Sequence, residues 1–177
     1  MFKLFPGMTD GFLIVPTTLA DLPAIYRIIE DAIHFTRQNN YPVFPYYAKE
    51  ILEVDIALQQ QYKLVMQNEI AGFFSVCYSD EIIWGEKGDA IYLHRVAIDS
   101  RFKGQRQFQH ILDWAIAHAK EKGKLFVRLD TWAQNPKLID YYKGHGFEEV
   151  GRIITPDTND LPETHRKLAL VLLEIKL

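Results

Sequence analysis

The most informative stretch of the chain is residues 93–108, with the sequence LHRVAIDSRFKGQRQF. It begins as an apolar strand that ends at Ile98, continues as a basic turn that contains Gly104, and then opens a long helical pattern. Backbone N–H groups at the start of a helix attract anions, and Lys103 and Arg106 add full positive charges there. The stretch therefore predicts a pyrophosphate site, with a solvated basic turn as the alternative.

The hydrophobic pattern on either side predicts strands that alternate with amphipathic helices. Thr18, three residues before Asp21, is typical of a capping box at a helix start. The predicted strands are 12–15, 62–67, 70–77, 90–98, 124–130, 147–154 and 168–175, with a hairpin turn at 68–69 and with 81–84 extending the second hairpin arm. The predicted helices are 22–33, 48–58, 103–122 and 136–143. This order predicts an α/β fold with one sheet and helices on both faces.

Length and composition exclude several classes of protein. The 177 residues suit one domain over residues 1–177, and 48% hydrophobic with 24% charged residues is typical of a folded globular chain. A net charge of -3 gives no broad attraction to nucleic acid, and no apolar run is long enough to span a bilayer. We therefore expect a cytoplasmic protein without nucleic-acid or membrane partners. The single cysteine, Cys77, excludes an internal disulfide and is predicted to pack in a strand.

A second informative stretch, residues 129–147, reads LDTWAQNPKLIDYYKGHGF. Asn135 followed by Pro136 is typical of a helix start, because asparagine caps the first turn and proline is tolerated there. The two stretches together resemble the GNAT superfamily of N-acetyltransferases. The first resembles its pyrophosphate loop, [R/Q]-x-x-G-x-[G/A], and the second resembles N-x-x-A-x-x-x-Y-x-x-x-G-F. The residues of the second stretch in step with the pattern are Asn135, Tyr142, Gly146 and Phe147, while Leu138 replaces the alanine.

Two alignments of the first stretch with the loop pattern are open. In one, Arg101 and Gly104 match, and Arg106 replaces the last small residue. In the other, Lys103 takes the leading basic place, and Arg106 and Phe108 replace both small residues. We favour the second, because it keeps the family's spacing between strand and loop. In either alignment, the guanidinium of Arg106 can replace close backbone contact with charge-assisted hydrogen bonds.

The resemblance covers roughly residues 11–177 and implies a GNAT fold: a mixed, mostly antiparallel sheet with splayed central parallel strands. It also implies acetyl-CoA as the co-substrate. Backbone groups near Val96 and Ile98 would bond the pantetheine arm, and an N–H in that stretch would polarise the acetyl carbonyl. The other cofactor-binding residues implied are Lys103, Gly104, Gln105, Arg106, Gln107, Phe108 and Asn135. Asn135 can cap its helix, contact the cofactor, or do both.

The implied reaction is direct transfer of an acetyl group to a primary amine of a small molecule or peptide. Tyr142 matches the family's general acid, with helix-to-sheet packing as the alternative role. A base is also needed, because a protonated amine has no lone pair. His94, Asp130 and Glu81 are the candidates, while a water relay is an alternative and His94 can be an ordinary strand histidine.

Several further expectations concern ligands and partners. The histidines show no ligand spacing and cysteine pairs are absent from the sequence, so no metal site is predicted. Residues 41–47 either shape the acceptor site or cover the sheet, and a homodimer is left open. A non-catalytic acyl-CoA-binding or sensing module is the alternative function, motivated by Arg106 and Phe108 in the loop. A third hypothesis is an interaction domain on the same scaffold.

Overall fold

A computed structural model of the chain describes residues 11–39, 49–85, 88–161 and 163–177. Within these residues, seven strands form one sheet. The strands are β1 (Phe12–Pro16), β2 (Gln61–Met66), β3 (Glu69–Cys77), β4 (Ala90–Ile98), β5 (Phe126–Trp132), β6 (Glu148–Ile154) and β7 (Ala169–Lys176). The helices are α1 (Leu22–Gln38), α2 (Lys49–Ala57), α3 (Glu81–Trp84), α4 (Gln107–Glu121) and α5 (Pro136–Gly144). None of the described helices combines the length and apolar character that crossing a lipid bilayer demands.

The strand order is β1-β2-β3-β4-β5-β7-β6, and every neighbouring pair is antiparallel except β4 with β5. Helices α4 and α5 pack on one face of this sheet, whereas α1, α2 and α3 pack on the other. The largest core lies under α4, whose predicted apolar stripe contributes five buried residues: Phe108, Ile111, Leu112, Ala115 and Ala119. The sixth residue of the stripe, Ile116, is partly buried against the same core. The predicted fold class is therefore confirmed.

The parallel pair of strands separates part of the way along its length. Three residue pairs join β4 to β5, and the last of them is Tyr92 with Arg128. Beyond that pair, the described residues of the two strands form no further ladder pairs with each other. We call this divergence the fork. The expected gap between the strands near Val96 and Asp130 is confirmed.

The closed end of the fork is organised around Arg128 of β5, which is 3% exposed. Its guanidinium donates to Glu174 of β7 at 2.6 Å, to Asp89 at 2.8 Å and to the hydroxyl of Tyr92 in β4 at 3.2 Å. It also lies 4.6 Å from the ring centre of Phe126. One buried cation thus joins β4, β5 and β7 where the parallel pairing ends.

A bulge at Arg95 shapes the open half of β4. The pairing with β3 shifts by one residue here, and Arg95 has a φ of +54°. Because of the extra residue, Leu93 and Val96 both face the α4 core although they are three positions apart. Asp55 of α2 fixes the bulge, since it accepts two hydrogen bonds from Arg95 at 2.7 Å and a third from Ser75 at 2.5 Å.

The end of β4 is fixed by Asp99, which has no accessible surface. Its carboxylate accepts from Arg27 of α1 at 2.7 Å and from the backbone N–H and guanidinium of Arg101 at 3.0 and 2.9 Å. Burial alone would raise the pKa of Asp99, but the hydrogen bonds from Arg101 and Arg27 outweigh it and hold the pKa at about 2. This network ties the strand end to α1.

Three local predictions are wrong, whereas the predicted strands agree with the structure within two residues. The hairpin turn lies at residues 67–68, both in the left-handed region that a two-residue hairpin turn favours. Residues 81–84 form α3 rather than a strand extension, because so short an apolar run suits either element. Helix α4 begins at Gln107, since Gly104 and Arg106 have positive φ values that a helix excludes.

Replacing Arg128 with methionine should destabilise the fold, because it leaves Glu174 without its buried cation. We expect the free energy of unfolding to fall by about 3 kcal/mol, as when one partner of a buried ion pair is removed. Urea denaturation measures this loss. The control Arg152→Met removes an exposed arginine that pairs with Glu149, and it should cost less than about 1 kcal/mol. Equal losses in the two variants would contradict the role given to Arg128.

Asp99→Asn should destabilise the protein in a way that depends on pH. A carboxyl group whose pKa is depressed by folding stabilises the fold above its unfolded pKa of about 3.9. That contribution is lost as the pH falls through the folded pKa of about 2. The difference in unfolding free energy between wild type and variant should therefore shrink as the pH falls from about 4 to 2. A difference that stays constant over that range, measured by thermal melts, would argue against the ion-pair network.

Candidate functional site

The fork opens into a cavity of about 520 Å³. His94 and Val96 of β4 and Asp130 of β5 lie on its inner walls. Tyr142 of α5 also lies on the lining, and further side chains come from α2, α3 and the connection between β6 and β7. The cavity therefore forms where the two parallel strands separate, and it gathers four of the predicted site residues.

Three ionisable side chains meet on this lining: Asp80, which precedes α3, His94 and Asp130. One nitrogen or oxygen atom from each of the three side chains lies within 4.8 Å of the corresponding atoms of the other two. His94 Nε2 is 3.5 Å from Asp80 Oδ2, a distance that suits an ion pair and is long for a hydrogen bond. Asp80 Oδ2 is buried and has no hydrogen-bond partner among the described residues. Such atoms could also hold a metal ion, so the absence of a metal site stays a prediction.

The cluster alters the protonation of its members. Burial lowers the pKa of His94, but its interactions with Asp80 and Cys77 and the charge of Asp130 raise the pKa to about 10. Burial raises the pKa of Asp130. The positive charge of His94 opposes this increase in pKa, and the negative charge of Asp80 adds to it. The imidazole of His94 therefore carries a positive charge at neutral pH, and it sits between two carboxyl groups.

Tyr142 combines a packing role with a place on the cavity. Its ring centre lies 5.1 Å from that of Phe108, and 6.0 Å from that of Phe147. Burial raises the pKa of the Tyr142 phenol, and the neighbouring Tyr141 and Asp130 raise it further. The hydroxyl thus keeps its proton at neutral pH and can act as a donor. Both roles considered for Tyr142 from the sequence are compatible with this position.

The basic turn lies between the end of β4 and the start of α4. Lys103 and Arg106 flank Gly104 in this turn, and Arg106 immediately precedes the first helical residue, Gln107. Arg106 has a φ of +57°, in the left-handed region that glycine adopts with the least strain. Gln107 is buried, and its Nε2 has no hydrogen-bond partner among the described residues. Donors and positive charges therefore converge at this helix start.

Arg101 has a different role from that of Lys103. Its guanidinium pairs with Asp99 at 2.9 Å and with Glu69 at 2.6 Å. The ammonium of Lys103 lies 5.6 Å from the ring centre of Phe35 in α1. Because Arg101 is engaged in holding the strand end, this geometry supports the alignment in which Lys103 leads the loop.

The structure divides the remaining predicted site residues into groups. Ile98 lies at the end of β4 and packs against the α4 core. The side chain of Phe108 is buried in the same core, so the backbone of Phe108 is the part of that residue that can contact a ligand. Asn135 caps α5, since its Oδ1 accepts from the N–H of Leu138 at 3.2 Å. Glu81 is exposed and does not line the cavity. Residues 41–47 lie outside the described residues.

Asp80 is the site residue that the sequence did not reveal. It immediately precedes α3, whose residues 81–84 we predicted to extend a strand, and it belongs to neither of the two stretches that carry the resemblance. Its proximity to His94 follows from the way the chain leaves β3 and returns as β4. The one hint in the sequence was that an aspartate before a short apolar run is a typical residue at a helix start.

Comparison with known proteins extends these observations. The chain is 36% identical over 74 residues to the uncharacterized N-acetyltransferase YesJ of Bacillus subtilis, a match that covers 41% of each chain. The matched part of a second relative, from Methanocaldococcus jannaschii, is 34% of its length. The chain thus spans well under half the length of the curated relatives it matches.

Solved structures share the fold over nearly the whole chain. Ard1 from Thermoplasma volcanium superposes with a TM-score of 0.69 at 15% identity, covering 94% of this chain and 98% of that one. The ribosomal-protein-S18-alanine N-acetyltransferase of Escherichia coli gives a TM-score of 0.64 at 20% identity, with 93% of each chain covered. At such identities the likeness shows the fold alone.

A family model decides the relationship. The model of the acetyltransferase (GNAT) family matches residues 26–147, which is more than half of the chain and includes the fork, the basic turn and α5. The strand separation, the helix start beyond β4 and the tyrosine on the cavity all fall inside this match. The chain belongs to the acetyltransferase (GNAT) family.

Proposed function

We propose that the protein is an acetyl-CoA-dependent N-acetyltransferase that transfers the acetyl group directly to a primary amine. The observation that carries this proposal is the cavity at the fork, where β4 has no β5 partner among the described residues and where Tyr142 and Asp130 lie on the same lining. Unpaired backbone groups on β4 can bond an extended ligand, while the two side chains supply a proton donor and a proton acceptor.

The residues present suit the cofactor. Backbone groups near Val96 and Ile98 would bond the pantetheine arm, because β4 lacks its β5 partner there. The pyrophosphate would lie at the start of α4, against the backbone of residues 104–108 and the side chains of Lys103 and Arg106. The Nε2 of Gln107, which has no hydrogen-bond partner among the described residues, would be a further donor there. When bound, acetyl-CoA supplies an activated thioester.

The proposed base is Asp130 rather than His94. A histidine whose pKa is about 10 already holds its proton at neutral pH and cannot accept another. Burial raises the pKa of Asp130, which makes its carboxylate a stronger base than an exposed one. Asp130 also lies on the same cavity as Tyr142. His94 then serves to offset the negative charge that Asp80 and Asp130 bring into the site.

The proposed reaction converts a primary ammonium and a thioester into an amide, a thiol and one proton. The ammonium gives one proton to Asp130, and its nitrogen then forms the C–N bond as the C–S bond breaks. Tyr142 donates its proton to the departing sulfur, which lowers the cost of a thiolate in a partly desolvated site. The second proton lost by the nitrogen returns through solvent to Tyr142, while the first leaves Asp130 for solvent.

The second candidate function is a non-catalytic acyl-CoA-binding module. Arg106 and Phe108 favour it, because they stand where the family pattern has small residues that allow close backbone approach to phosphates. Release of free thiol from acetyl-CoA in the presence of an amine panel separates the two functions. Binding of CoA without turnover of any amine would favour the second.

Changing both Lys103 and Arg106 to alanine should weaken CoA binding by about 2–4 kcal/mol, if each makes a charge-assisted bond. Calorimetry measures the affinity, and wild-type binding should also weaken with added salt. The control is Lys120→Ala with Lys122→Ala, which removes the same charge near the far end of α4. An unchanged affinity in the first double variant would refute the assignment of the phosphate site.

Tyr142→Phe should lower kcat by about 100-fold or more, the usual range for a general acid. The ring and its contacts with Phe108 remain, so CoA affinity and Tm should change little. Tyr141→Phe is the matched control, because it removes a hydroxyl from the exposed neighbouring residue of the same helix. Wild-type kcat in the Tyr142 variant, with chemistry shown to limit the rate, would leave Tyr142 a packing residue.

A further inference from the structure

The charge at the fork sets the first condition on the acceptor. Two carboxyl groups, Asp80 and Asp130, face one positive imidazole, His94, within 4.8 Å. With both carboxyls ionised, the cluster is one positive charge short of neutrality. The buried Oδ2 of Asp80 lies 3.5 Å from His94 Nε2, which is long for a hydrogen bond, and it has no closer donor among the described residues. A single ammonium group supplies both the missing charge and the missing donor.

The remainder of the cavity sets the second condition, because its walls are mostly apolar. Five apolar side chains from α2, α3, β7 and the β6–β7 connection surround the space: Ile51, Ile83, Leu161, Leu168 and Leu170. A second ammonium placed against these walls would be desolvated without a partner, which is costly. An uncharged hydrocarbon body would instead gain from leaving water.

Negatively charged acceptors are also disfavoured at this site. Arg95 lines the cavity, but it is engaged by Asp55 through two hydrogen bonds at 2.7 Å. Burial lowers the pKa of His165, and the positive Arg95 and His94 lower it further, so its imidazole is uncharged at neutral pH. A carboxylate at the far end of the acceptor would lie against the apolar walls, where Arg95 is already paired and His165 is uncharged, so it would be desolvated without a free cation to offset it.

We propose that the acceptor is a small primary monoamine with an apolar body, such as an alkylamine or an arylalkylamine. Its ammonium is held by Asp80 and Asp130, and its hydrocarbon body lies against the apolar walls. This inference rests on the proposed acetyltransferase function. Asp80 is then a residue that binds the acceptor and determines specificity, and it does so from a loop outside the two sequence stretches that carry the family resemblance.

Three amines of equal chain length test the proposal, because they differ in the far end alone: hexylamine, 1,6-diaminohexane and 6-aminohexanoate. We expect kcat/KM for hexylamine to exceed that for each of the other two by about tenfold or more. A diamine or amino acid used as well as hexylamine would overturn the inference and leave the acetyltransferase function standing. A peptide with a free N-terminus used better than hexylamine would overturn it too. Turnover of none of these amines would count against the proposed function itself.

Two variants probe the residues that carry the argument. Asp80→Asn should raise KM for hexylamine by about tenfold with a smaller change in kcat, and CoA affinity should be unchanged. The exposed Asp113→Asn on α4 is the control. Leu168→Glu places a carboxylate in the apolar wall and should shift the ratio of kcat/KM toward 1,6-diaminohexane. A loss of structure cannot produce that shift, so an unshifted ratio in a folded Leu168→Glu protein would contradict the proposed position of the acceptor.

Discussion

The structure depends on one buried cation, Arg128, at the point where two parallel strands stop pairing. A charge with so little exposure is tolerated because carboxylates from two neighbouring segments and a tyrosine hydroxyl satisfy its donors. Those contacts fix β4, β5 and β7 relative to one another at a single level of the sheet. Beyond the Tyr92–Arg128 pair, β4 and β5 can separate while their pairing register before that point is kept. The cavity is the space that this separation creates.

A second ion pair holds the other side of the opening. Asp55 and Arg95 connect α2 to the bulge of β4, so the strand is supported by a helix where its neighbouring strand has moved away. Further along, Asp99 ties the strand end to α1. Three networks of charges, each at least partly buried, therefore set the position of β4 along its length. A strand edge held in this way is suited to present backbone groups to a ligand, because it cannot close by simple collapse.

The fold was largely predictable from the sequence, whereas the site was predictable in part. The strand at 90–98 and the apolar stripe of α4 follow from periodicity, and the capping box of Thr18 and Asp21 is present as predicted. Tyr142 was found because it lies in a recognisable pattern. Asp80 was not, since its importance comes from a contact between the loop that follows β3 and His94 of β4, which no local pattern encodes. The positive φ of Arg106 was also hidden, because the sequence shows an arginine where such a backbone normally has glycine.

The bulge at Arg95 has a consequence for how this chain can vary. A regular strand changes face at every residue, so the extra residue decides which face each later side chain of β4 occupies. Deleting one residue between Leu93 and Val96 would turn Val96 and Ile98, at the end of the strand, from the α4 core toward α1. The same deletion would turn Ala97 from the α1 side toward the α4 core. A substitution in this part of β4 changes the contacts of one side chain. An insertion or deletion of one residue moves every later side chain of the strand to the other face of the sheet. Homologous chains should therefore differ in residue identity along this strand while keeping its number of residues.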